Sequence, residues 1–400
     1  MRILQISPRV PYPLTDGGKI GIYNIVKYLA LRGHNITLVC FNDEKNKYPE
    51  LEKYCKLIII QKKTKTTYLE LFFNLFSSIP YGISKYYSPV AKKKIYDLLK
   101  KNKYDIVHLD HLHAACYGDF IDKYFNIPIV LREHNLENMI MKRFYKNQKN
   151  IFIKLYAYFQ YKKLYKYERI ICEIFNRCLM ITKNDEEIIK KMNSNIKTSV
   201  IPAGVDTMYF YPINIKEEEY SLISVASMNW LPNVEAVEWF YKEVLPLIKK
   251  KIQKIKLYIV GINPPNNIKS LANNNVIVTG FVEDVRKYIA KGQVFIVPLK
   301  TGSGMRIKIL NALAMGKAIV STSVGCEGIE VVDGENIYIA DNKHQFAERV
   351  IYLLKNNDKR RRLGQEGIKL IKEKYRWEKI AEHIDKKYTE IIKENIKCKH

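Results

Sequence analysis

The segment Thr301–Thr322 carries the clearest indication of chemistry in the sequence. Gly302 and Gly304 form a Gly-x-Gly turn directly after a buried-strand pattern, and glycines let the backbone approach a ligand closely. Arg306 and Lys308 follow, where an apolar helical pattern begins. A helix N-terminus presents free N–H groups and a partial positive charge, so two cations beside it predict a phosphate site.

Helical spacing refines this prediction. Lys308 and Asn311 are three residues apart and share a helix face, so they could contact a phosphate and a ribose hydroxyl of one ligand. Arg306 lies off that face and is expected to reach the ligand from the rim. The alternative interpretation is a tight glycine loop with solvated cations, but strand, loop, basic first turn and following strand together favour phosphate binding.

Histidines follow two strand patterns in the first half of the chain. His134 comes after the pattern Ile129–Leu131, and His111 and His113 come after Ile106–Leu109. The carboxyl ends of parallel strands are where ligands bind in open α/β sheets, so these side chains are candidates for a site. A lone loop histidine is more often structural, and we treat His111 and His113 as weaker candidates than His134.

Short apolar runs alternate with amphipathic helical stretches in both halves of the sequence. Continuous apolar strands that alternate with helices are typical of parallel, doubly wound sheets. A length of 400 residues suits two domains. We therefore predict an α/β protein with two Rossmann-like doubly wound parallel-sheet domains.

A change of pattern near Ile201 marks the predicted domain boundary. Ile201–Asp206 has the composition of a turn, and a polar, charged stretch follows at 212–220. We predict a first domain at 1–203, a second at 204–376 and a C-terminal helix at 377–400.

The net charge limits the kinds of partner. It is +26, from 67 Lys and Arg against 41 Asp and Glu, and such a field attracts anions. The sequence has neither zinc-finger spacing nor an aromatic RNA-binding signature, and its cations are spread along the chain, so we expect no nucleic acid partner. An anionic membrane surface or phosphate-bearing ligands fit better.

A long helical pattern at Met139–Phe175 is dense in Lys, Tyr and Phe. Within it, Lys142–Arg169 could form an amphipathic surface helix that docks on anionic lipid. The alternative is an ordinary long helix with a solvated Lys face.

Cysteine usage and hydropathy suggest the compartment. Seven cysteines are scattered without a Cys-x-x-Cys pair, which favours a reducing environment. The opening MRILQIS resembles a strand rather than a signal peptide, and no segment offers the roughly 20 apolar residues of a membrane helix. We expect a cytoplasmic protein, with peripheral attachment to the inner membrane face as an open alternative.

Several ordered motifs together resemble the family 4 glycosyltransferases, which have the GT-B fold of two Rossmann-like domains facing a cleft. The resemblance spans nearly the whole chain and is most specific in the Gly-x-Gly-x-Arg-x-Lys signature. The matching segments are Pro13–Lys19, Glu133–Glu137, Ile201–Asp206, Gly280–Asp284 and Gly302–Lys308.

This resemblance implies a function. It implies transfer of a sugar from a nucleotide-sugar donor to a saccharide or lipid-linked acceptor, with retention of the anomeric configuration. It implies no cofactor and no required metal, and the sequence contains no Asp-x-Asp pair. It also implies a place in cell-surface polysaccharide or glycolipid synthesis, and a last helix that returns to the first domain.

The same resemblance assigns roles to individual positions. His134 is expected to contact the donor sugar, so the expected catalytic residues are His134, Arg306 and Lys308. Gly17 and Gly18 are expected to form a loop that faces the donor, and Asp16 is expected to bind an acceptor hydroxyl. The expected donor-binding residues are Gly17, Gly18, Gly302, Ser303, Gly304, Arg306, Lys308 and Asn311.

The chain departs from the family pattern at three places. Ser303 and Asn311 stand where the family commonly has two Glu residues, although an Asn oxygen still accepts a hydroxyl hydrogen bond. Ser227–Trp230 lacks the Arg and Lys that many relatives use for the diphosphate, which places that task on Arg306 and Lys308. These departures motivate an alternative, a degenerate nucleotide-sugar-binding protein or partner subunit; a nucleotide-sugar epimerase is a second alternative with the same fold.

Overall fold

The computed structural model describes residues 1–43, 46–62, 66–302 and 304–397. The chain divides into two compact units. The first unit consists of Met1–Pro202 and the C-terminal segment from Ile380, and the second unit is Ala203–Lys379.

A parallel seven-stranded sheet forms the centre of the first unit, in the order β3-β2-β1-β4-β5-β6-β7. Its central strands are buried along almost their whole length because helices cover both faces. The strands are β1 (Arg2–Ser7), β2 (Asn35–Asn42), β3 (Lys56–Gln61), β4 (Ile106–Asp110), β5 (Ile129–Glu133), β6 (Arg177–Met180) and β7 (Thr198–Val200). The helices are α1 (Gly17–Leu31), α2 (Pro49–Glu52), α3 (Tyr68–Asn74), α4 (Tyr81–Ser84), α5 (Pro89–Lys101), α6 (Gly118–Tyr124), α7 (Glu137–Asn147), α8 (Ile151–Ile171) and α9 (Lys183–Met192), with 3-10 segments at Leu112–Tyr117 and Cys172–Ile174.

A parallel six-stranded sheet forms the centre of the second unit, in the order β10-β9-β8-β11-β12-β13. The strands are β8 (Ser221–Val225), β9 (Lys256–Val260), β10 (Val276–Gly280), β11 (Val294–Val297), β12 (Ala318–Ser321) and β13 (Tyr338–Ile339). The helices are α10 (Leu231–Trp239), α11 (Leu245–Lys249), α12 (Asn266–Lys269), α13 (Val285–Lys291), α14 (Ile307–Ala314), α15 (Lys343–Lys355), α16 (Asn357–Leu370) and α17 (Trp377–Lys397), with π segments at Phe240–Val244 and Ile371–Tyr375. From Ile380 onward α17 is grouped with the first unit.

Both sheets reverse their strand order once, between β1 and β4 in the first unit and between β8 and β11 in the second. The prediction of two doubly wound parallel sheets is therefore confirmed. A reversal of this kind leaves a crevice at the carboxyl ends of the two strands, where ligands bind in such folds. The loops after these four strands are consequently the first places to look for a site.

One face of α17 is fully buried. Ile380, Ile384 and Ile391 are each at most 2% exposed, and the Tyr388 hydroxyl hydrogen-bonds to His108 Nδ1 on β4. This i, i+4 spacing of apolar residues is the pattern of a helix that packs one face on a core.

Two local predictions were wrong, and one strand was not predicted. The first helix begins at Gly17 because the side chain of Asp16 caps it, so Gly17 and Gly18 lie in its first turn and not in a loop. The pattern at Met139–Phe175 forms two helices, because the chain breaks after α7 and Asn150 caps α8. The short strand β7 was not predicted, since its three half-buried residues give little periodicity.

Within the described residues, we find no helix whose length and apolar character would let it span a bilayer.

Candidate functional site

The glycine turn before α14 has a backbone that only glycine adopts easily. Gly302 has φ of 126° and Gly304 has φ of 76°. A Cβ on Gly302 would lie 2.6 Å from Arg306 Nη2 and 2.6 Å from Trp230 Cη2. The turn therefore needs glycine at this position both for its conformation and for space.

Arg306 occupies the cap position of α14 rather than the rim. Its side chain is 6% exposed, and its Nη1 donates to the carbonyl oxygen of Gly304. Its Cζ lies 5.2 Å from the centre of the Trp230 ring, within the range of a cation–π contact. The expectation that Arg306 reaches inward from the rim is wrong, because its extended cap backbone (φ −91°, ψ 94°) turns the side chain toward the glycine turn.

Lys308 lies in the first turn of α14. Its Nζ donates to Asn233 Oδ1 at 2.9 Å, and Asn233 Nδ2 in turn donates to the carbonyl oxygen of Ser227 at 2.8 Å. Burial, together with the positive charge of Arg306, lowers the pKa of Lys308 to about 7. An anion bound here would restore full charge to the ammonium.

Two residues of this site were missed by the sequence reasoning. Trp230 and Asn233 belong to the loop after β8 and the start of α10, and β8 borders the strand-order reversal with β11. Only the strand order brings these residues to Arg306 and Lys308. The signal available in the sequence was the unusual stretch Ser227–Trp230.

The remaining predicted residues of this site are less informative. Asn311 lies half-buried on α14, three residues after Lys308. Ser303 lies outside the described residues, so its predicted role as a donor contact stays a prediction.

A buried polar cluster in the first unit centres on Asp110 at the end of β4. Asp110 Oδ1 lies 3.2 Å from His134 Nε2 and 3.4 Å from His108 Nε2. Asp110 Oδ2 accepts a hydrogen bond from Gln5 Nε2 on β1. Arg132 Nη1 lies 3.2 Å from His134 Nε2 and 3.9 Å from Asp110 Oδ1. The sequence reasoning found His134 but missed Asp110 and Arg132, because buried residues inside strand patterns are usually structural.

The electrostatics of this cluster fix His134 beside an anion. Burial alone would raise the pKa of Asp110, but His108 and His134 hold it well below its usual range. Burial lowers the pKa of His134, and the hydrogen bond with Asp110 only partly offsets this effect. The imidazole is therefore neutral near pH 7, and its contact with the Asp110 carboxylate holds it in one orientation.

His111, His113 and Glu137 form a second group directly beside His134. The His111 and His134 rings stack with centroids 4.8 Å apart, and His111 Nδ1 lies 3.0 Å from His113 Nδ1 and 3.5 Å from Glu137 Oε1. Burial lowers the pKa of His113 to about 4 and raises the pKa of Glu137 to about 8. The weaker sequence candidates His111 and His113 are thus adjacent to the stronger one.

The start of α1 lies near the same cluster. A Cβ on Gly21 would lie 3.4 Å from Arg132 Nη1 and 3.6 Å from His134 Cε1, so this glycine lets α1 pack closely. Both carboxylate oxygens of Asp16 are engaged, with the backbone N–H of Lys19 and with the guanidinium of Arg9. The predicted roles of Gly17, Gly18 and Asp16 toward donor and acceptor stay predictions.

A cavity of about 270 Å³ adjoins the loop after β1. Arg9, Tyr12, Lys19 and Tyr48 contribute to its lining. Cations and aromatic rings together suit a polar ligand with an apolar face, such as a saccharide.

Two family models match consecutive parts of the chain. The model for Glycosyltransferase Family 4 matches residues 15–209, and the model for glycosyl transferases group 1 matches residues 219–356. Between them, the two matches contain every predicted site residue. Fold, site and family models together define a two-domain enzyme that transfers glycosyl groups.

Similar proteins include one relative that matches along its whole length and two solved structures with the same fold. An uncharacterised protein in the cps region of Klebsiella pneumoniae is 24% identical over 98% of this chain and 100% of its own length. Sucrose-phosphate synthase from Thermosynechococcus elongatus has the same fold, with a TM-score of 0.75 at 18% identity over 98% of this chain and 99% of that one. The Anabaena protein HepE, crystallised with UDP-glucose, has a TM-score of 0.65 at 13% identity over 98% of this chain and 100% of its own. The chain belongs to the family 4-like glycosyltransferases of the GT-B fold.

Proposed function

We propose that the protein is a retaining, metal-independent glycosyltransferase that moves a sugar from a nucleoside diphosphate to a saccharide or lipid-linked acceptor. The observation that carries this proposal is the start of α14, where two cations follow a turn that requires glycine. Arg306 and Lys308 supply positive charge where the leaving diphosphate develops negative charge. No cation-binding carboxylate pair is needed for that task.

The proposed donor contacts use the same turn and helix. The backbone of Gly302 and Gly304 lies against the phosphates, while Asn311 accepts a hydrogen bond from the ribose diol. UDP-sugars are the first donors to test, because the structurally similar HepE was crystallised with UDP-glucose. The leaving diphosphate then takes the proton of the incoming hydroxyl on the same face of the sugar, which gives retention.

Thermal-shift binding against a panel of nucleoside diphosphates and nucleotide sugars, with and without EDTA, tests the donor site. We expect stabilisation by one nucleotide series that EDTA does not remove, and its loss in Arg306→Ala and Lys308→Ala. Lys359→Ala, on α16 of the same unit, serves as the matched control and should leave binding unchanged. Donor binding that requires a divalent cation, or that survives both site variants, would contradict the assignment.

The Asn311 position gives a specific second candidate, a donor-binding protein without turnover. Asn is shorter and uncharged compared with the Glu that the family commonly has here. Binding without turnover in the native chain, together with turnover in Asn311→Glu, would favour this candidate over the transferase. Turnover by the native chain would exclude this second candidate.

We also propose that the protein attaches peripherally to anionic membrane, where a lipid-linked acceptor would reside. The support is a surface, which we call the apolar face, made of large exposed side chains on α3, the residues after it and the first half of α8. These side chains are Leu69, Phe72, Phe73, Phe76, Ile151, Phe152, Leu155 and Phe159. Monomeric proteins rarely expose so many neighbouring apolar groups unless a partner or a bilayer covers them.

Two hydrogen bonds join the end of α3 to α8. Gln160 Nε2 donates to Asn74 Oδ1 at 2.9 Å, and Lys163 Nζ donates to the carbonyl oxygen of Asn74 at 2.6 Å. The chain from Met139 to Tyr167 contains many Lys and Arg residues and no Asp or Glu. Aromatic groups beside cations are the composition of interfacial membrane-binding helices.

Vesicle co-sedimentation tests this attachment. We expect the protein to pellet with vesicles that contain phosphatidylglycerol, and much less with phosphatidylcholine alone or at high salt. The double variant Phe72→Glu/Phe152→Glu should abolish pelleting, whereas Tyr352→Ser, which alters an exposed ring elsewhere, should not. Pelleting that is independent of lipid charge and of the double variant would contradict the proposal.

A further inference from the structure

Three potential metal ligands converge in the first unit. One nitrogen of His111, one of His113 and one carboxylate oxygen of Glu137 all lie within 4.8 Å of one another. Zinc bonds of about 2.0–2.1 Å in a tetrahedral shell place neighbouring ligand atoms about 3.3 Å apart. The separations from His111 Nδ1, 3.0 Å to His113 and 3.5 Å to Glu137, lie on either side of this value, and no pair of the three ligand atoms is more than 4.8 Å apart.

One hydrogen bond joins two of the three groups. It runs between His111 Nδ1 and His113 Nδ1 at 3.0 Å, and Glu137 Oε1 lies 3.5 Å from His111 Nδ1. A cation placed among the three atoms accepts a lone pair from each of them.

The backbone holds the three ligands in place. His111 has φ of 74°, a conformation that is strained for a residue with a side chain and that is concentrated at functional sites. His113 lies in the 3-10 segment that follows it. Glu137 begins α7, and its backbone N–H donates to Glu168 Oε1 at 3.0 Å. The set is therefore preorganised rather than assembled from exposed side chains.

The donor types determine which cation fits. Two imidazole nitrogens and one carboxylate oxygen suit Zn²⁺ and similar transition-metal ions, whereas Mg²⁺ and Ca²⁺ prefer oxygen ligands. Three protein ligands leave one position of a tetrahedral shell for an oxygen atom of water, a hydroxyl or a carboxylate.

We propose that His111, His113 and Glu137 bind a zinc-type divalent cation, whose remaining position takes an oxygen of a bound ligand. The ring of His111 stacks on His134, so the proposed site lies directly beside that residue. This site belongs to the first unit, whereas the diphosphate is assigned to Arg306 and Lys308 in the second. The proposed cation thus has other ligands than the residues assigned to the diphosphate.

Direct metal binding by the full chain tests this proposal without reference to activity. Metal-free protein is titrated with Zn²⁺ against a chromophoric chelator, and Co²⁺ is used as a spectroscopic probe of nitrogen coordination. We expect one tight Zn²⁺ per chain, weakened more than about 100-fold by His113→Ala and at least about 10-fold by Glu137→Gln. His344→Ala, at an exposed histidine of the second unit, is the matched control and should bind Zn²⁺ as the native chain does.

Circular dichroism of the metal-free variants shows that each is folded before it is titrated. Zn²⁺ binding that is equally tight in His113→Ala and Glu137→Gln, or that disappears after alkylation of the cysteines, would overturn the proposal. Absence of stoichiometric Zn²⁺ binding by the native chain would overturn it as well. None of these results bears on donor binding, which the thermal-shift panel measures separately.

Discussion

At the start of α14, the ammonium of Lys308 is held by the neutral oxygen of Asn233 and not by a carboxylate. Its pKa of about 7, caused by burial and by Arg306, makes it a cation that is only partly charged in the free protein at neutral pH. A diphosphate beside it raises that pKa, because opposite charge favours the protonated form. The residue is thus poised to gain charge when the donor binds.

We therefore predict that donor binding takes up a proton from the buffer. Below pH 6 Lys308 is already protonated in the free protein, so proton uptake on donor binding is near zero. At pH 8 Lys308 is mostly neutral in the free protein and charged in the complex, so proton uptake approaches one proton. Calorimetry in buffers of different ionisation enthalpy measures this number. Lys308→Arg keeps the charge at all pH values and should bind without uptake, and equal uptake in native and variant protein would refute this role.

The same lowered pKa makes the free energy of unfolding depend on pH. The direction of this dependence is opposite to the one that an ion-paired lysine causes. The unfolded chain binds the Lys308 proton more tightly than the folded chain does, so this group destabilises the fold at low pH. Its contribution to the free energy of unfolding increases as pH rises from about 7 toward the ordinary lysine pKa.

Gly302 gives a second prediction at the scale of one residue. Gly302→Ala places a methyl group 2.6 Å from both Arg306 Nη2 and the Trp230 ring and strains a backbone of positive φ. We expect donor affinity to fall at least about 10-fold and stability by about 1–3 kcal/mol. Gly280→Ala is the matched control, since Gly280 also has positive φ (69°) but no atom within 4 Å of its added Cβ. The Gly280→Ala variant should lose stability and keep its donor affinity. An equal loss of donor affinity in both variants would show that backbone strain alone, and not the contact with Arg306 and Trp230, lowers the affinity.

At the scale of elements, the strand-order reversals account for which side chains meet. The loop after β8 meets the turn after β11 in the second unit, and β1 lies beside β4 in the first. Gly302, Arg306 and Lys308 could be predicted from the sequence because they lie within seven residues of one another. Their spacing indicates a turn followed by a helix. Asp110 and Trp230 could not, because their partners lie far along the chain and only the strand order brings them together.

Helix α17 supplies the prediction for this scale. Ile384 is fully buried on its packed face, so Ile384→Ala should lower the free energy of unfolding by about 2–4 kcal/mol through lost burial and the remaining cavity. Ile396→Ala, at a side chain that is 51% exposed on the same helix, should change it by less than about 0.5 kcal/mol. Urea unfolding followed by circular dichroism measures both, and similar midpoints for the two variants would contradict the assigned packing face.

At the scale of the whole molecule, the net charge of +26 predicts attraction to any polyanion at low salt. We expect binding of single-stranded DNA or RNA to fall by about 100-fold or more between 50 and 200 mM salt, because only phosphate contacts would be involved. Fluorescence anisotropy with labelled oligonucleotides measures this dependence. Tight binding that persists at 200 mM salt would point to a nucleic-acid partner and contradict our expectation.

We propose that transfer of the sugar retains its anomeric configuration. Proton NMR of the protein incubated with the donor identified by the binding panel tests this claim, because water can act as a slow acceptor. We predict release of the nucleoside diphosphate with a sugar of the donor's own anomeric configuration, and no release in Arg306→Ala. Appearance of the inverted anomer as the first product, before mutarotation, or of an epimerised nucleotide sugar, or of a bound but unchanged donor would contradict it.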